Sequence, residues 1–513
     1  MQIREWVDPG NDDAKPAIIL HPSGVRLSFM ELEIRANRLA HYFLDAGLRQ
    51  GDAIAVLMEN NEHLHAIMWA ARRSGLYYAL INTHLTSPEA AYIVDNSSAK
   101  AIIGSRGLVK VCDGLAEHLL GGLPELLMIA DADLAGWQRY PECVADQPET
   151  PIASEQEGDL LQYSSGTTGR PKGIKRPLQH VAPGEASNML MPLLTAIGLN
   201  RDAIYLSPAP LYHTAPSFWS MAVQSMGGTT VVMEKFHAES ALDAIQKYRV
   251  THGQFVPAMF VRMLKLPGTV RNSYDVSSLQ RVVHAAAPCP VDIKKQMIDW
   301  WGPIVDEYYA SSEGTGASFI RAEEWLQRPG SVGRPLVGEA HILDEQGVEV
   351  EPGQAGEIFF GGGYSFEYLK DEAKTAASRD SHGWVTVGDI GYLDDEGFLF
   401  LTDRRHHMII SGGVNIYPQE AEDLLITHPK VLDAAVFGIP DEGMGQSVKG
   451  VVQTVDSADA TAEFAEELLA WLRDRLAHFK CPRTISFEAQ LPRTDAGKLY
   501  KQELVKKYSA LVT

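Results

Sequence analysis

Short apolar runs alternating with helices of about three turns predict an α/β protein on a mainly parallel sheet. The predicted architecture is a large N-terminal part of layered α/β subdomains plus a small β-barrel, then a small α+β domain. Two more observations support this division. At 513 residues the chain is longer than a single core usually organises. Its texture also changes twice, to short β-like runs from about Gly333 to Gly363 and to a fresh strand–helix cycle after about residue 404.

The elements follow in order. Ser28-Phe29-Met30-Glu31 has capping-box spacing, with Ser28 as N-cap. Leu32, Ala36, Leu39, Ala40 and Phe43 then recur at helical spacing, and Gly47 is a natural stop. Ala53 to Met58 reads as a strand, about Glu62 to Arg73 as a helix, Pro88 to Ile93 as another helix, and Ala101-Ile102-Ile103 as a buried strand. Ala340 to Leu343 and Glu357 to Phe360, separated by turn residues, have meander or small-barrel texture. Beyond the charged Asp403-Arg404-Arg405-His406-His407, Met408-Ile409-Ile410 opens the last cycle. A helix near Pro418 to Ile426, a strand at Ala434 to Phe437 and an amphipathic helix from about Thr461 to Leu476 complete it.

The composition is 45% hydrophobic and 22% charged, which supports a sizeable core. A formal charge of −21 argues against nucleic-acid binding, which needs a basic surface. A small polyanion can still bind through backbone N–H groups and a few cations. Cys112, Cys143, Cys289 and Cys481 are scattered without a CxxC pair, so neither disulfides nor a zinc site are suggested. No signal-peptide pattern opens the chain, and no apolar run approaches the roughly 18 residues of a membrane span. A cytoplasmic protein is expected.

The most informative stretch is Tyr163-Ser164-Ser165-Gly166-Thr167-Thr168-Gly169-Arg170-Pro171-Lys172-Gly173. Its glycines let successive N–H groups turn towards one anion, its hydroxyls add donors or metal ligands, and Lys172 adds a point charge suited to phosphate. It is not a Walker A loop: Pro171 replaces the glycine before the lysine, and Gly173 replaces the Ser/Thr that would hold magnesium.

Together with five further motifs in order, this loop resembles the adenylate-forming superfamily of acyl-CoA synthetases, luciferases and nonribosomal adenylation domains. The motifs are Leu211-Tyr212-His213-Thr214-Ala215, Tyr308 to Gly314, Trp384 to Asp389, Ser411 to Glu420, and Pro492 to Lys498. The resemblance covers nearly the whole chain. It implies an N-terminal domain over 1–403 for AMP and acyl binding, a hinge at 404–407, and a mobile lid domain over 408–513 carrying a catalytic lysine.

The implied ATP and AMP contacts are Ser164, Ser165, Gly166, Thr167, Thr168, Gly169, Lys172, Ala286, Ala287, Pro288, Tyr309, Ser312, Asp389 and Arg404. Glu313, with Thr167, would hold Mg²⁺, which favours hard oxygen ligands. Asp389 would accept from both ribose hydroxyls. Ala286-Ala287-Pro288 and Tyr309 would bracket adenine. Lys498 would stabilise charge building on the α-phosphate, and His213 would line or gate the acyl pocket. Ser411, Gly412 and Gly413 would line the path of coenzyme A. His407 stands where the family usually has a hinge aspartate or lysine, and is expected to hinge nonetheless.

The implied reaction is ATP-dependent acyl-adenylate formation, then transfer to coenzyme A with release of AMP. No general base for the thiol is evident. Pro216 to Ser220 offers no carboxylate for an α-amine, so an amino-acid substrate is disfavoured. The acyl pocket, expected from His213, Ala285, Ala310, Ser311 and Gly314, is small-walled and apolar, suiting a fatty, steroid-like or aryl acid. A medium or long acyl chain is favoured. The alternatives are a fatty-acyl-AMP ligase serving a carrier protein, for which the forty or so residues between Gly363 and Arg404 leave little room, and a non-catalytic nucleotide-binding relative. A homodimer is allowed but not required.

Overall fold

A computed structural model of the chain describes residues 3–6, 15–164, 171–186, 191–404, 407–412, 414–493 and 499–510. Two large sheets dominate it. In the first, six strands pair in parallel in the spatial order Pro16–His21, Thr229–Met233, Ile204–Ser207, His252–Phe255, Arg281–His284 and Val305–Ala310. The second is a six-stranded parallel sheet with Ala53–Leu57 near its middle, flanked by Tyr77–Leu80 and Ala99–Ser105.

Helices Phe29–Asp45 and Leu64–Arg73 pack against each other between these sheets. The first begins as its sequence predicts: the Ser28 side chain accepts from the Glu31 backbone, and Glu31 accepts from the Ser28 backbone. Its stripe of Leu32, Ala36, Leu39, Ala40 and Phe43 is fully buried against residues of both sheets, including Ile18, Val232, Ile54 and Ile103. Burying each large apolar side chain of this kind contributes about 1.5–3 kcal/mol.

The β-rich stretch is an antiparallel meander with its own core of Val332, Ile342, Ile358, Phe360 and Leu399. It joins the first sheet through Ser331–Val337, so that thirteen strands form one continuous sheet. The change from parallel to antiparallel pairing falls at Val305–Ala310 and Ala317–Ile320. Ligand crevices in open α/β sheets gather at such a change, beyond the carboxyl ends of the parallel strands.

From Ile409 onwards the strands form a separate five-stranded sheet covered by Gln419–Thr427 and Ala462–Arg473. Thr461 caps the latter by accepting from Phe464 N–H. This unit rests on the larger one: Gln419–Thr427 contacts the helix Val291–Trp301, and Lys265 Nζ donates to the His428 carbonyl at 3.1 Å. Among the described residues no helix is long and apolar enough to cross a membrane.

Candidate active site

The strand Val305–Ala310 organises the site through its alternation. Successive side chains point to opposite faces, so Tyr308 and Ala310 share one face and Glu307 and Tyr309 the other. Tyr308 joins a cluster with Val283, Ala285 and Trp219. Tyr309 instead packs on the meander core, its ring 6.2 Å from Phe360.

On the meander side, Tyr309 Oη donates to Asp389 Oδ2 at 2.7 Å. Asp389 is buried, and its backbone lies directly across from Arg404 in the antiparallel ladder. The residues assigned separately to adenine and ribose are thus one hydrogen-bonded unit. Trp384 is held between two imidazoles, stacked on His341 at 3.5 Å and on His382 at 4.5 Å, which fixes the turn leading to Asp389.

The turn after this strand carries Ser311, Ser312 and Glu313. Gly314 closes it at φ +73°, and a Cβ there would lie 2.9 Å from the Tyr364 ring, so only glycine suits the position. Glu313 is buried and accepts from Tyr368 Oη at 2.9 Å. Burial and the adjacent carboxylate push the Tyr368 hydroxyl up, keeping it a donor. A buried carboxylate beside a hydroxyl offers the hard oxygens that Mg²⁺ prefers. Ser312 Oγ lies 3.1 Å from Thr214 Oγ1, and Ser311 Oγ 3.2 Å from Thr315 Oγ1. His213 precedes the helix Thr214–Ser225, in extended backbone, with its ring 4.4 Å from Tyr212.

The glycine-rich segment joins Gln162–Ser164 to Lys172–Lys175, two antiparallel strands with Lys172 paired across from Ser164. A Walker A loop instead runs from a strand into a helix, so topology agrees with the reading from sequence. Lys172–Lys175 also pairs with Glu367–Tyr368, connecting the hairpin to Glu313.

Lys374 was not evident in the sequence. It lies on the helix Glu372–Ala377, whose Asp371 cap accepts from its N–H, and its ammonium sits 4.7 Å from the centre of the Tyr368 ring. Burial and the Lys374 ammonium push the Lys172 amine down to about 8, against the pull of Asp371 and Glu313. Two adjacent ammonium groups without an intervening anion repel, and a phosphate between them would relieve that repulsion. Lys374→Ala is expected to raise the KM for MgATP ~10-fold, the scale of one charge-assisted contact. An unchanged KM with a lowered melting temperature would make Lys374 purely structural.

Ala286 has φ +74°, a conformation that non-glycine residues rarely adopt and that concentrates at ligand clamps. Pro288 is exposed and Ala287 half-buried, while Ala285 is buried in the Trp219 cluster. Beneath this segment lies an ionic group: Lys294 Nζ bonds Glu307 Oε2 at 2.7 Å, with His284 Nε2 at 3.4 Å from the same oxygen.

In the smaller unit, Ser411 is buried, and Gly412 has φ +58° with its N–H donating to the Met444 carbonyl at 2.9 Å. His407 is a half-buried turn residue. Ser165, Gly166, Thr167, Thr168, Gly169, Gly413 and Lys498 lie outside the described residues, as do the side chains of Ser164 and Arg404.

The AMP-binding enzyme profile matches residues 7–367. The AMP-binding enzyme C-terminal domain profile matches residues 420–498. The chain therefore belongs to the AMP-binding enzyme family, the adenylate-forming superfamily of acid–thiol ligases. It is 31% identical over 488 residues to a 2-succinylbenzoate–CoA ligase of Bacillus licheniformis, covering 93% of this chain and 94% of that one. It is 28% identical over 516 residues to the long-chain-fatty-acid–CoA ligase FadD13 of Mycobacterium tuberculosis, covering 100% and 96%. The ATP-bound crystal structure of MatB from Rhodopseudomonas palustris superposes with a TM-score of 0.82 at 27% identity, covering 100% and 99% of the two chains.

Proposed function

We propose that this ligase activates a hydrophobic carboxylic acid with ATP, releasing pyrophosphate, and passes the acyl group from acyl-AMP to coenzyme A, releasing AMP. The observation that carries the reading is the convergence on one sheet junction of Tyr309–Asp389, Glu313–Tyr368 and the Lys172 hairpin, with the Thr214–Ser312 hydroxyl pair adjoining.

In this reading Asp389 and Tyr309 orient the nucleoside, and Lys172, Lys374 and the hydroxyls of the glycine-rich loop hold the phosphates. Glu313, with Thr167, would hold magnesium, which when bound neutralises charge on phosphate oxygens. The acid's carboxylate then attacks the α-phosphorus near Ser312, and positioning with charge stabilisation does most of the catalytic work. Lys498 is assigned to that charge.

For the second step we assign residues 404–407 as a hinge turning a lid over 408–513. The exposed Ile410, Val414 and Met444 around Ser411 and Gly412 suit the methylene and methyl groups of a pantetheine arm, whose amides would bond elsewhere. His407→Pro should preserve adenylation and slow thioester formation by about a hundred-fold, the scale of a misplaced reacting group. An unimpaired thioester-forming half-reaction would remove His407 from the hinge. The overall reading is tested by incubating the protein with a carboxylic acid panel, MgATP and coenzyme A, scoring AMP, pyrophosphate and thioester. Acyl-AMP accumulating without thioester would point to a carrier-protein acceptor. Inorganic phosphate as product would overturn the reading.

A further inference from the structure

We propose that Trp219 and Tyr308 wall off the inner end of the acyl pocket and restrict this enzyme to compact acids, single-ring aryl acids or short chains. The inference rests on the acyl-adenylating reading of the site; it narrows the fatty, steroid-like or aryl range and reverses the preference for a medium or long acyl chain expected from the sequence.

The reacting end of the acid belongs near Thr214 and Ser312, whose hydroxyls are 3.1 Å apart. The helix Thr214–Ser225 leads inward from that point. Ala215, Phe218, Trp219 and Ala222 stand at i, i+3, i+4 and i+7, which places them along one helix face. Ala215 is the smallest residue at the start of this face. Four residues on, ~6 Å deeper along the helix, stands the largest side chain available.

The sheet supplies the opposing half of the wall. Tyr308 pairs across from Phe319 and shares its cluster with Ala285 and Ala310, so small residues line the strand ends while tyrosine fills the depth. Trp219 Nε1 donates to Tyr308 Oη at 3.0 Å, with the rings 5.8 Å apart. Behind them Tyr205 stacks on the indole at 6.4 Å, and all three residues are buried, Trp219 to 1% exposure. Leu193, Leu194, Ile197 and Leu199 occupy the same cluster. Turning the indole aside would leave buried polar groups unpaired, which makes the wall a fixed boundary. The partly exposed Phe218, 5.8 Å from Trp219 in an edge-on arrangement, offers a flat ring a neighbour of its own kind.

The test is a ladder of acids, benzoate, phenylacetate, hexanoate, dodecanoate and palmitate, with MgATP and coenzyme A, followed by AMP and pyrophosphate release. Wild-type enzyme should favour the first three over the last two by ~100-fold or more in kcat/KM. Trp219→Ala should raise kcat/KM for dodecanoate ~10-fold or more and lower it for benzoate, with the KM for MgATP unchanged. Should that variant fail to fold, Trp219→Leu and the wild-type ladder still decide. Wild-type turnover of dodecanoate equal to that of hexanoate, or a folded variant with an unaltered ladder, overturns the wall while leaving the ligase reading intact. Absence of AMP and pyrophosphate with every acid instead overturns the ligase reading itself.

Discussion

Lys498→Ala is expected to slow acyl-adenylate formation by about a hundred- to a thousand-fold, the cost of removing one group aimed at charge that develops in a transition state. The same variant should still convert chemically prepared acyl-AMP and coenzyme A to thioester. The asymmetry follows from where charge appears. Adenylation brings a carboxylate against a phosphorus already crowded with anionic oxygens, whereas thioester formation expels AMP from a neutral carbonyl. Single-turnover pyrophosphate release and thioester formation, measured separately, distinguish the two steps. If both half-reactions fall together, the lysine does something other than adenylation chemistry, and the assignment of Lys498 to that step must be withdrawn.

A second large effect is expected far from any reacting atom. Lys294 is fully buried, bonded to Glu307 at 2.7 Å with its ammonium 4.6 Å from the centre of the Trp325 ring. Burial pushes the Glu307 carboxyl up while Lys294 pulls it back, and burial with the nearby ammonium holds His284 neutral. Lys294→Met alone leaves Glu307 without its counter-charge and should cost about 3–5 kcal/mol, whereas Lys294→Met with Glu307→Leu should recover most of that loss. Denaturant midpoints measure both variants. Because His284 immediately precedes Ala285 to Pro288, the single variant should also raise the KM for MgATP. Unchanged stability in the single variant would mean that water reaches the pair.

Much of this molecule is legible in its sequence because many of its signals are local. The capping box at Ser28 and Glu31, the period of Leu32 to Phe43 and the caps of the later helices need only neighbouring residues. The glycine-rich segment is also visible locally, although the pairing of Lys172–Lys175 with Glu367–Tyr368, some two hundred residues on, is not. What escaped the sequence is non-local. Nothing near Lys374 marks it as a neighbour of Lys172, since strand pairing and the Tyr368 ring bring the two together. Lys294 reads as an ordinary helix lysine until Glu307 is placed beside it by the sheet. Likewise, the small Ala285 and Ala310 left a wide range of acids open, whereas the Trp219 that packs beside them comes from a helix in an earlier part of the chain.

The adjacent rings of Tyr308 and Tyr309 carry a consequence for how such an enzyme can diversify. Tyr308 lies in the Trp219 cluster and Tyr309 bonds Asp389, so under the proposed function a single backbone segment would serve two unrelated recognition tasks, the acid on one face and the nucleoside on the other. An insertion or deletion of one residue there would reverse every side chain and damage both tasks at once. Changes of acid preference should therefore accumulate along the helix Thr214–Ser225, where a new side chain leaves the Tyr309–Asp389 bond untouched. Directed evolution towards bulkier acids should find its productive substitutions on that helix and few on the strand.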